Sequence, residues 1–436
     1  MSLTTVVFII LYAIGAILTM YNPLYGIAAY IFEWHNHPPF WWWGRDLPDI
    51  RWAFSIALVT LISLILNRKK LPPLENINYK PLFWLIFFVL NAYMVSTISA
   101  VVPDQSFLKA QDLLKITIHL ALFVYIIRRP KDYHLIIWVI LFCVANWGRI
   151  SFQEGTNRHL GVAAPHATGG NAVAGYVMAV LPFFGIMFFT GKRWEKILSA
   201  LIVPFIFNML ILENSRAAIL ALLVVVFFSF LWLKGRTRLQ LVGMMFLGAL
   251  IFFQLTNEQF WQRQEDTEFE KDTSAMSRIY LWRGVLHMIE DYPFGVGGDG
   301  FEELVVEYVP ELQRRIERKH ERKSAHNTFL NVLSEWGILG LIFYSGFLIH
   351  CFLILRNIKR DAQYYEHQKF YHFQAIALQL SFIGIIVDGM FHNQQYLELF
   401  FWNAAFTICL RNMQVNEIQL WNKGDFTALE SFKKPH

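Results

Sequence analysis

Apolar runs near membrane-spanning length recur along the whole chain and leave little room for any fold but a bundle of membrane helices. They cover residues 3–20, 52–66, 82–102, 113–127, 133–145, 172–190, 197–212, 217–233, 239–255, 328–355, 370–387 and 397–410. Roughly 20 apolar residues cross a bilayer core, so these runs predict an all-α polytopic membrane protein of about twelve transmembrane helices. The run 24–32 is shorter; it is either a thirteenth span joined to the first or a re-entrant piece. The composition agrees, with 55% hydrophobic and only 16% charged residues.

Orientation follows from the basic residues. Arg68, Lys69 and Lys70 share one set of short loops with Arg128, Arg129 and Lys131 and with Lys192, Arg193 and Lys196. Lys234, Arg236 and Arg238 continue that set, followed by Arg356, Lys359 and Arg360 and by Lys433 and Lys434 in the tail. By the positive-inside rule these loops and the carboxyl terminus are cytoplasmic. Residues 34–51, 149–170 and 257–327 then lie on the outer face, and the amino terminus is inside if 24–32 does not cross. The first segment lacks a basic start and a small-residue cleavage site, so no cleavable signal is expected. The net charge of +5 is mostly this topology and gives no reason to expect nucleic-acid binding. Cys143, Cys351 and Cys409 fall in apolar segments without metal-ligand spacing, which argues against a disulfide framework or zinc site. Trp41, Trp42 and Trp43 beside two prolines read as an interfacial aromatic belt.

The expected organisation is residues 1–256 as transmembrane helices (ten spans with 24–32 counted), 257–327 as a loop domain, 328–411 as the last spans and 412–436 as a cytoplasmic tail. That loop far exceeds ordinary connections, and such loops are usually functional or disordered. Over residues 274–289, Met276, Ile279, Tyr280, Trp282, Val285, Leu286 and Ile289 make one apolar helical face. Asp291-Tyr-Pro-Phe-Gly-Val-Gly297-Gly-Asp-Gly300 then breaks the helix in a turn whose backbone can approach a ligand closely. A short helix over 301–308 follows. The basic run 314–323, with Glu317 and Glu321 interspersed, reads as a solvated face with paired charges or as a surface for anionic phosphate.

Three features stand above scaffold. His326 ends the loop where an apolar helix begins; a neutral imidazole there can accept a hydroxyl proton or simply hydrogen-bond the helix end. Glu335 lies nine residues on, about 13 Å along a regular helix, so its expected role is holding neighbouring segments. Arg216, behind Ser215, opens a span from the outer side and offers a forked donor to a phosphate, or else snorkels to headgroups. Arg278, beside Ser277 and ahead of Trp282 and Arg283, can clamp a second phosphate oxygen or pair with a carboxylate. Arg149, Arg158, His159 and His166 are weaker candidates, and His35 and His37 weaker still. No acidic metal motif, phosphate-binding glycine loop or Ser-His-Asp set is visible, so arginine electrostatics would stand in for a metal ion.

This pattern resembles the O-antigen ligase and polymerase superfamily of bacterial membrane glycosyltransferases. The shared parts are Ser215-Arg216 opening a span, Ser277-Arg278 then Trp282 in the large outer loop, and the Pro-Phe-Gly-Val-Gly297 turn. His326-Asn327-x-x-Leu330 leading to Glu335-x-Gly337-x-x-Gly340 completes them. Asn22-Pro23-Leu24-Tyr25-Gly26 and Gly169-Gly170-Asn171 are similar to O-glycosylation ligases associated with exosortase systems. The resemblance implies a bacterial inner-membrane enzyme working at the periplasmic face without metal or other cofactor. It would move a glycan from undecaprenyl diphosphate to an acceptor hydroxyl on a lipid, a glycan or a protein. His326 would be the base and Arg216 and Arg278 the diphosphate ligands, with Ser215, Asn327, Glu335 and Gly297 in support. Glu213-Asn214 departs from the small residues frequent before the first Ser-Arg. A polymerase keeps the same chemistry with a lipid-linked acceptor; the alternative of a different class is a polysaccharide or lipid transporter, and transporters often show internal repeats, of which none is convincing here.

Overall fold

The computed structural model describes residues 2–73, 77–156, 159–256, 261, 273–313, 323–365, 368–425, 427 and 429–430. Arg158, Lys433, Lys434 and the basic run 314–323, apart from Lys323 itself, lie outside the described residues. Fifteen α-helices and four short 3-10 turns make up the fold, with no strand among the described residues. The helices are α1 Leu3–Tyr21, α2 Pro23–His35, α3 Trp52–Asn67, α4 Lys80–Ile98, α5 Pro103–Ile126, α6 Pro130–Glu154, α7 Gly170–Thr190, α8 Arg193–Glu213, α9 Arg216–Trp232 and α10 Gly235–Leu255. The remaining five are α11 Thr273–Asp291, α12 Gly300–Tyr308, α13 Thr328–Ala362, α14 Lys369–Gly389 and α15 Glu398–Asn422.

Every one of the twelve apolar runs is a helix, and the chain is an all-α polytopic membrane protein. Among the described residues nine helices are long and apolar enough to span a bilayer: α1, α3, α4, α6, α7, α8, α10, α13 and α14. The other three runs differ for identifiable reasons. α9 has only 17 residues. α5 begins ten residues before its apolar run, at Pro103, and carries Asp104, Lys109 and Asp112 on that added length. α15 is buried nearly all round and contains Asn403, Asn412, Gln414 and Glu417.

Residues 24–32 form the return limb of a hairpin. Asn22 ends α1 by donating its N–H to Leu18 O (3.1 Å) and starts α2 by accepting Leu24 N–H on its side chain (3.0 Å). Pro23 at the first helical position needs no partner for its nitrogen. Phe32 then stacks on Phe8 near the start of α1, so α2 runs back along α1. The amino terminus and Trp43 consequently share one end of the bundle, where Thr5 Oγ1 donates to Trp43 O (3.0 Å). The opposite end collects Asn22, Arg68–Lys70 and Arg128: Asn67 Nδ2 reaches Met20 O (2.9 Å) and Arg128 Nη1 reaches Pro72 O (2.9 Å). This is the basic end of the bundle.

The aromatic belt needs correction. Trp41 and Trp43 are buried, at 6% and 4% exposure, while Trp42 is 59% exposed. Trp43 packs inward on Phe8 with ring centroids 5.0 Å apart and the planes tilted by 42°, because the two 3-10 turns of this segment fold back over α1.

Between α10 and α13, α11 and α12 build a small core of their own from Leu281, Val285, Met288, Phe301 and Val305, closed by Ala325 and Leu333 of the α13 region. The apolar face of α11 is rotated from the one expected. Leu286 is exposed, whereas Leu281 and Met288 are buried, since α11 packs against both α12 and α13 rather than on one flat surface.

Candidate functional site at the mouth of α13

α13 is not a continuous helix. At Gly337 the backbone takes φ 70° and ψ −171°, a conformation that L side chains rarely adopt. The break frees carbonyls, and the glycine turn supplies their donors: Val296 N–H to Ser334 O and Gly297 N–H to Glu335 O, both 2.9 Å. Ile338 N–H returns a bond to Pro293 O (3.1 Å). On its other side the turn is tied to the α4–α5 connection by Ser99 Oγ to Gly295 O (2.8 Å), Val101 N–H to Val296 O (2.9 Å) and Gly298 N–H to Ser106 Oγ (3.0 Å). A Cβ on Gly297 would lie 2.6 Å from both Ala100 Cβ and Ser106 Oγ. The close approach expected of this turn toward a ligand is an approach to protein instead.

The mouth of α13 is fixed as tightly. Asn327 caps the helix, accepting from Phe329 N–H (3.0 Å) and Leu330 N–H (3.1 Å) while its Nδ2 donates to Met390 O (3.1 Å). Asn331 Oδ1 accepts Ala325 N–H (3.3 Å), and Trp282 Nε1 of α11 donates to Ala325 O (3.1 Å). His326, held between these anchored neighbours, sits in the left-handed region at φ 48°. Its imidazole pKa is pushed down to about 4, first by burial and then by the positive charge of Arg278, His392 and Lys323. The ring is therefore neutral at neutral pH, with a lone pair available beside a fixed guanidinium charge.

The structure thus brings Arg278 into the electrostatic neighbourhood of His326, together with Lys323 and His392, which the motif reading did not single out. Arg216 begins α9 just after Asn214, which ends α8 in the left-handed conformation, and Ser215 Oγ caps α9 through Ala218 N–H (3.4 Å). At its far end α9 places Trp232 under Lys359 Nζ, 4.2 Å from the ring centroid, near the end of α13. α9 and α13 therefore run the same way, and Arg216 and His326 open them at the same end, opposite the basic end.

The segment between α14 and α15 is the hub of this end. His392 Nδ1 lies 3.1 Å from Asp388 Oδ2, and Gln394 bonds the same oxygen. Thr328 Oγ1 donates to His392 O and accepts Gln394 N–H, each at 3.0 Å. Glu335, buried, accepts from Asn331 Nδ2 (2.7 Å), Gln395 Nε2 (2.5 Å) and Tyr396 Oη (2.9 Å), so it ties α13 to this segment. Lys109 of α5 approaches the Tyr396 ring (5.3 Å) and pairs with Asp299 (3.3 Å). The signal for these residues was the polar stretch His392-Asn-Gln-Gln-Tyr396 between two apolar runs, with Asp388 one helical turn before it.

The weaker candidates are placed elsewhere or otherwise engaged. Arg149 bonds Asn146 and Gln153 along its own helix. His35 is buried between Ile31 O (2.7 Å) and Tyr176 Oη (2.8 Å), and His37 pairs with Glu33. His159 exchanges backbone bonds with Thr156. His166 pairs with Glu398 at 3.3 Å and tilts its ring toward Tyr396. Burial opposes its charge, yet Glu398 keeps its pKa above the ordinary imidazole value.

No curated protein matches this chain. Residues 200–345, about a third of the chain, match the family model described as Wzy_C, O-Antigen ligase. That stretch runs from α8 into α13 and contains Arg216, Arg278, His326 and Glu335. The chain is a multi-pass membrane protein, and the match over residues 200–345 supports the O-antigen ligase superfamily and a membrane glycosyltransferase-like ligase or polymerase.

Proposed function

We propose that this protein is an inverting glycan ligase that uses undecaprenyl diphosphate-linked donors at the periplasmic face of a bacterial inner membrane. His326 Nε2 or Nδ1 takes the proton from an acceptor hydroxyl on a lipid or protein. The acceptor oxygen forms a bond to the anomeric carbon as the bond from that carbon to the phosphate oxygen breaks. Undecaprenyl diphosphate leaves with the electron pair, and the configuration inverts because no covalent enzyme intermediate intervenes. Arg278 and Arg216 bind the diphosphate and stabilise the charge that develops on it. The α11–α12 unit covers the site, and Asn327, Glu335, Ser215 and Gly297 hold the helix ends that carry these groups.

The observation supporting this reading is a neutral, half-buried His326 in the electrostatic neighbourhood of Arg278, at the end of the bundle opposite the basic loops. In purified enzyme, His326→Ala should abolish glycan transfer from the lipid carrier while the protein still folds; undiminished turnover would remove His326 from the chemistry. Transfer should also survive chelation, and loss that Mg²⁺ restores would refute the metal-free step. In cells, loss of all modified acceptor on deletion supports a ligase, whereas accumulation of single-repeat products indicates a polymerase.

A further inference from the structure

A cavity of about 280 Å³ lies at the opposite, basic end. Its walls are the α1–α2 turn with Tyr21 and Asn22, the end of α3 with Asn67 and Lys70, and the α5–α6 turn with Arg129 and Asp132. The α5–α6 wall is rigid. Arg129 is 7% exposed, and its Nε and Nη2 donate to the two oxygens of Asp132 at 3.0 and 3.1 Å. Asn67 is fixed by donating to Met20 O and Ser63 O. Asp132 is the only acidic residue in the described lining, against Lys70 and Arg129. Arg128, bonded to Pro72 O of the lining, and Lys131, in the electrostatic neighbourhood of Arg129 and Asp132, add to the positive potential.

The surface leading away from this cavity is apolar. Tyr21 is 71% exposed and Leu66 is 65% exposed, and Ile65, Leu18, Ile17 and Ile14 continue exposed along α1 and α3 toward the bilayer centre. A site for a free anion needs no such wall. A phosphate headgroup in a basic cavity at a helix end, with its acyl chains lying down a lipid-facing helical surface, uses both features.

We infer that the α1–α2 turn, the end of α3 and the α5–α6 turn form a binding site for the headgroup of an anionic glycerophospholipid. Lys70 and the Asp132-oriented Arg129 supply charge for the phosphodiester. The side chains of Asn22, Asn67 and Tyr21 offer amide and hydroxyl groups to headgroup hydroxyls. The site is distinct from the His326 end and does not depend on the reaction carried out there.

The test is native mass spectrometry of the full chain released from detergent in the presence of phosphatidylglycerol, phosphatidylcholine or inorganic phosphate. Arg129 and Asp132 are buried together and their replacement endangers folding, so the variants are Lys70→Glu, in the lining, and Lys69→Glu, exposed beside it. One phosphatidylglycerol should bind in preference to phosphatidylcholine. Lys70→Glu should weaken it about tenfold, in line with the energy of reversing one basic group near a headgroup, while Lys69→Glu should leave it within about twofold. Equal binding of phosphatidylcholine, or equal loss in both variants, would overturn the site in favour of diffuse surface attraction. Displacement of the lipid by inorganic phosphate at matching concentration would overturn the lipid as the ligand.

Discussion

Gly337→Ala puts the architecture of the site at risk with a single methyl group. At φ 70° and ψ −171° an alanine is strained by about 1–3 kcal/mol whatever space surrounds it. Space is also lacking, because a Cβ there would lie 2.3 Å from the Phe294 carbonyl carbon and 2.5 Å from its oxygen. Both are backbone atoms, so relief requires the whole turn to withdraw. Withdrawal breaks at least one of the bonds Val296 N–H to Ser334 O, Gly297 N–H to Glu335 O and Ile338 N–H to Pro293 O. A buried donor or acceptor left unmade costs about 1–3 kcal/mol. The sum is roughly 2–6 kcal/mol, a large share of the stability of an ordinary protein. Gly243→Ala is the matched control: it lies inside α10 with nothing within 4 Å of its added Cβ, and should be neutral or stabilising by up to about 1 kcal/mol. Equilibrium unfolding in mixed micelles measures both, and protease nicking between α11 and α12 reports whether the turn has detached. If Gly337→Ala is as stable as Gly243→Ala, the interlock between turn and helix break is not what holds this end together.

His326 makes the stability of the protein depend on pH in a defined sense. Its folded pKa of about 4 lies below the ordinary 6.5, so the unfolded chain binds more protons between these values and wild type loses stability as pH falls through them. Relative to His326→Gln the loss should reach about 3 kcal/mol by pH 4 and vanish above pH 7; a flat difference between pH 7 and 5 would contradict the burial of the ring beside Arg278. If His326 is the base, the acid limb of kcat/KM should fall below pH 5 rather than near 6.5, read from initial rates of glycan transfer. Asp388→Ala should cost about 1–3 kcal/mol in the same unfolding assay by leaving His392 Nδ1 and Gln394 Nε2 without their acceptor. Trp282→Phe keeps the ring but removes the donor to Ala325 O, and should cost about 1 kcal/mol while lowering transfer; unchanged activity would mean that α11 does not position the residue before His326.

Apolar run length carried most of the fold, because a bilayer admits few alternatives to a helix of about 20 residues. It failed where burial by protein replaced burial by lipid. α15 keeps Asn403, Gln414 and Glu417 buried because neighbouring helices surround it; Gln414 bonds Ile358 O and Gln368, and Glu417 bonds Tyr371. Trp41 and Trp43 misled in the opposite direction, since aromatic composition at a helix end does not distinguish a ring facing lipid from one folded onto Phe8. His326, Arg216 and Arg278 are legible in the sequence as ionisable groups beside apolar segments. Asp388 and His392 were passed over because a turn between two late spans looks like a connection until its side chains are seen to tie α14 to α13.

The helix break explains why those ties are needed. A continuous α13 would satisfy its own carbonyls and owe nothing to the preceding loop. Once Gly337 leaves helical geometry, Ser334 O and Glu335 O need donors within a membrane-spanning helix, where unmade bonds are expensive. The donors come from the turn joining α11 to α12, so the position of α11 is bound to the backbone of α13. Arg278 rides on α11 and His326 stands at the start of α13, with Trp282 Nε1 to Ala325 O as a second tie between them. Backbone bonds at the break and one indole therefore help set the relative placement of cation and imidazole. Glu335 lies on the same turn as the break, yet it bonds to Gln395 and Tyr396, which binds the third element of this end to the same point. A substitution at Gly337 acts on all three elements at once, whereas one at His326 removes only the imidazole.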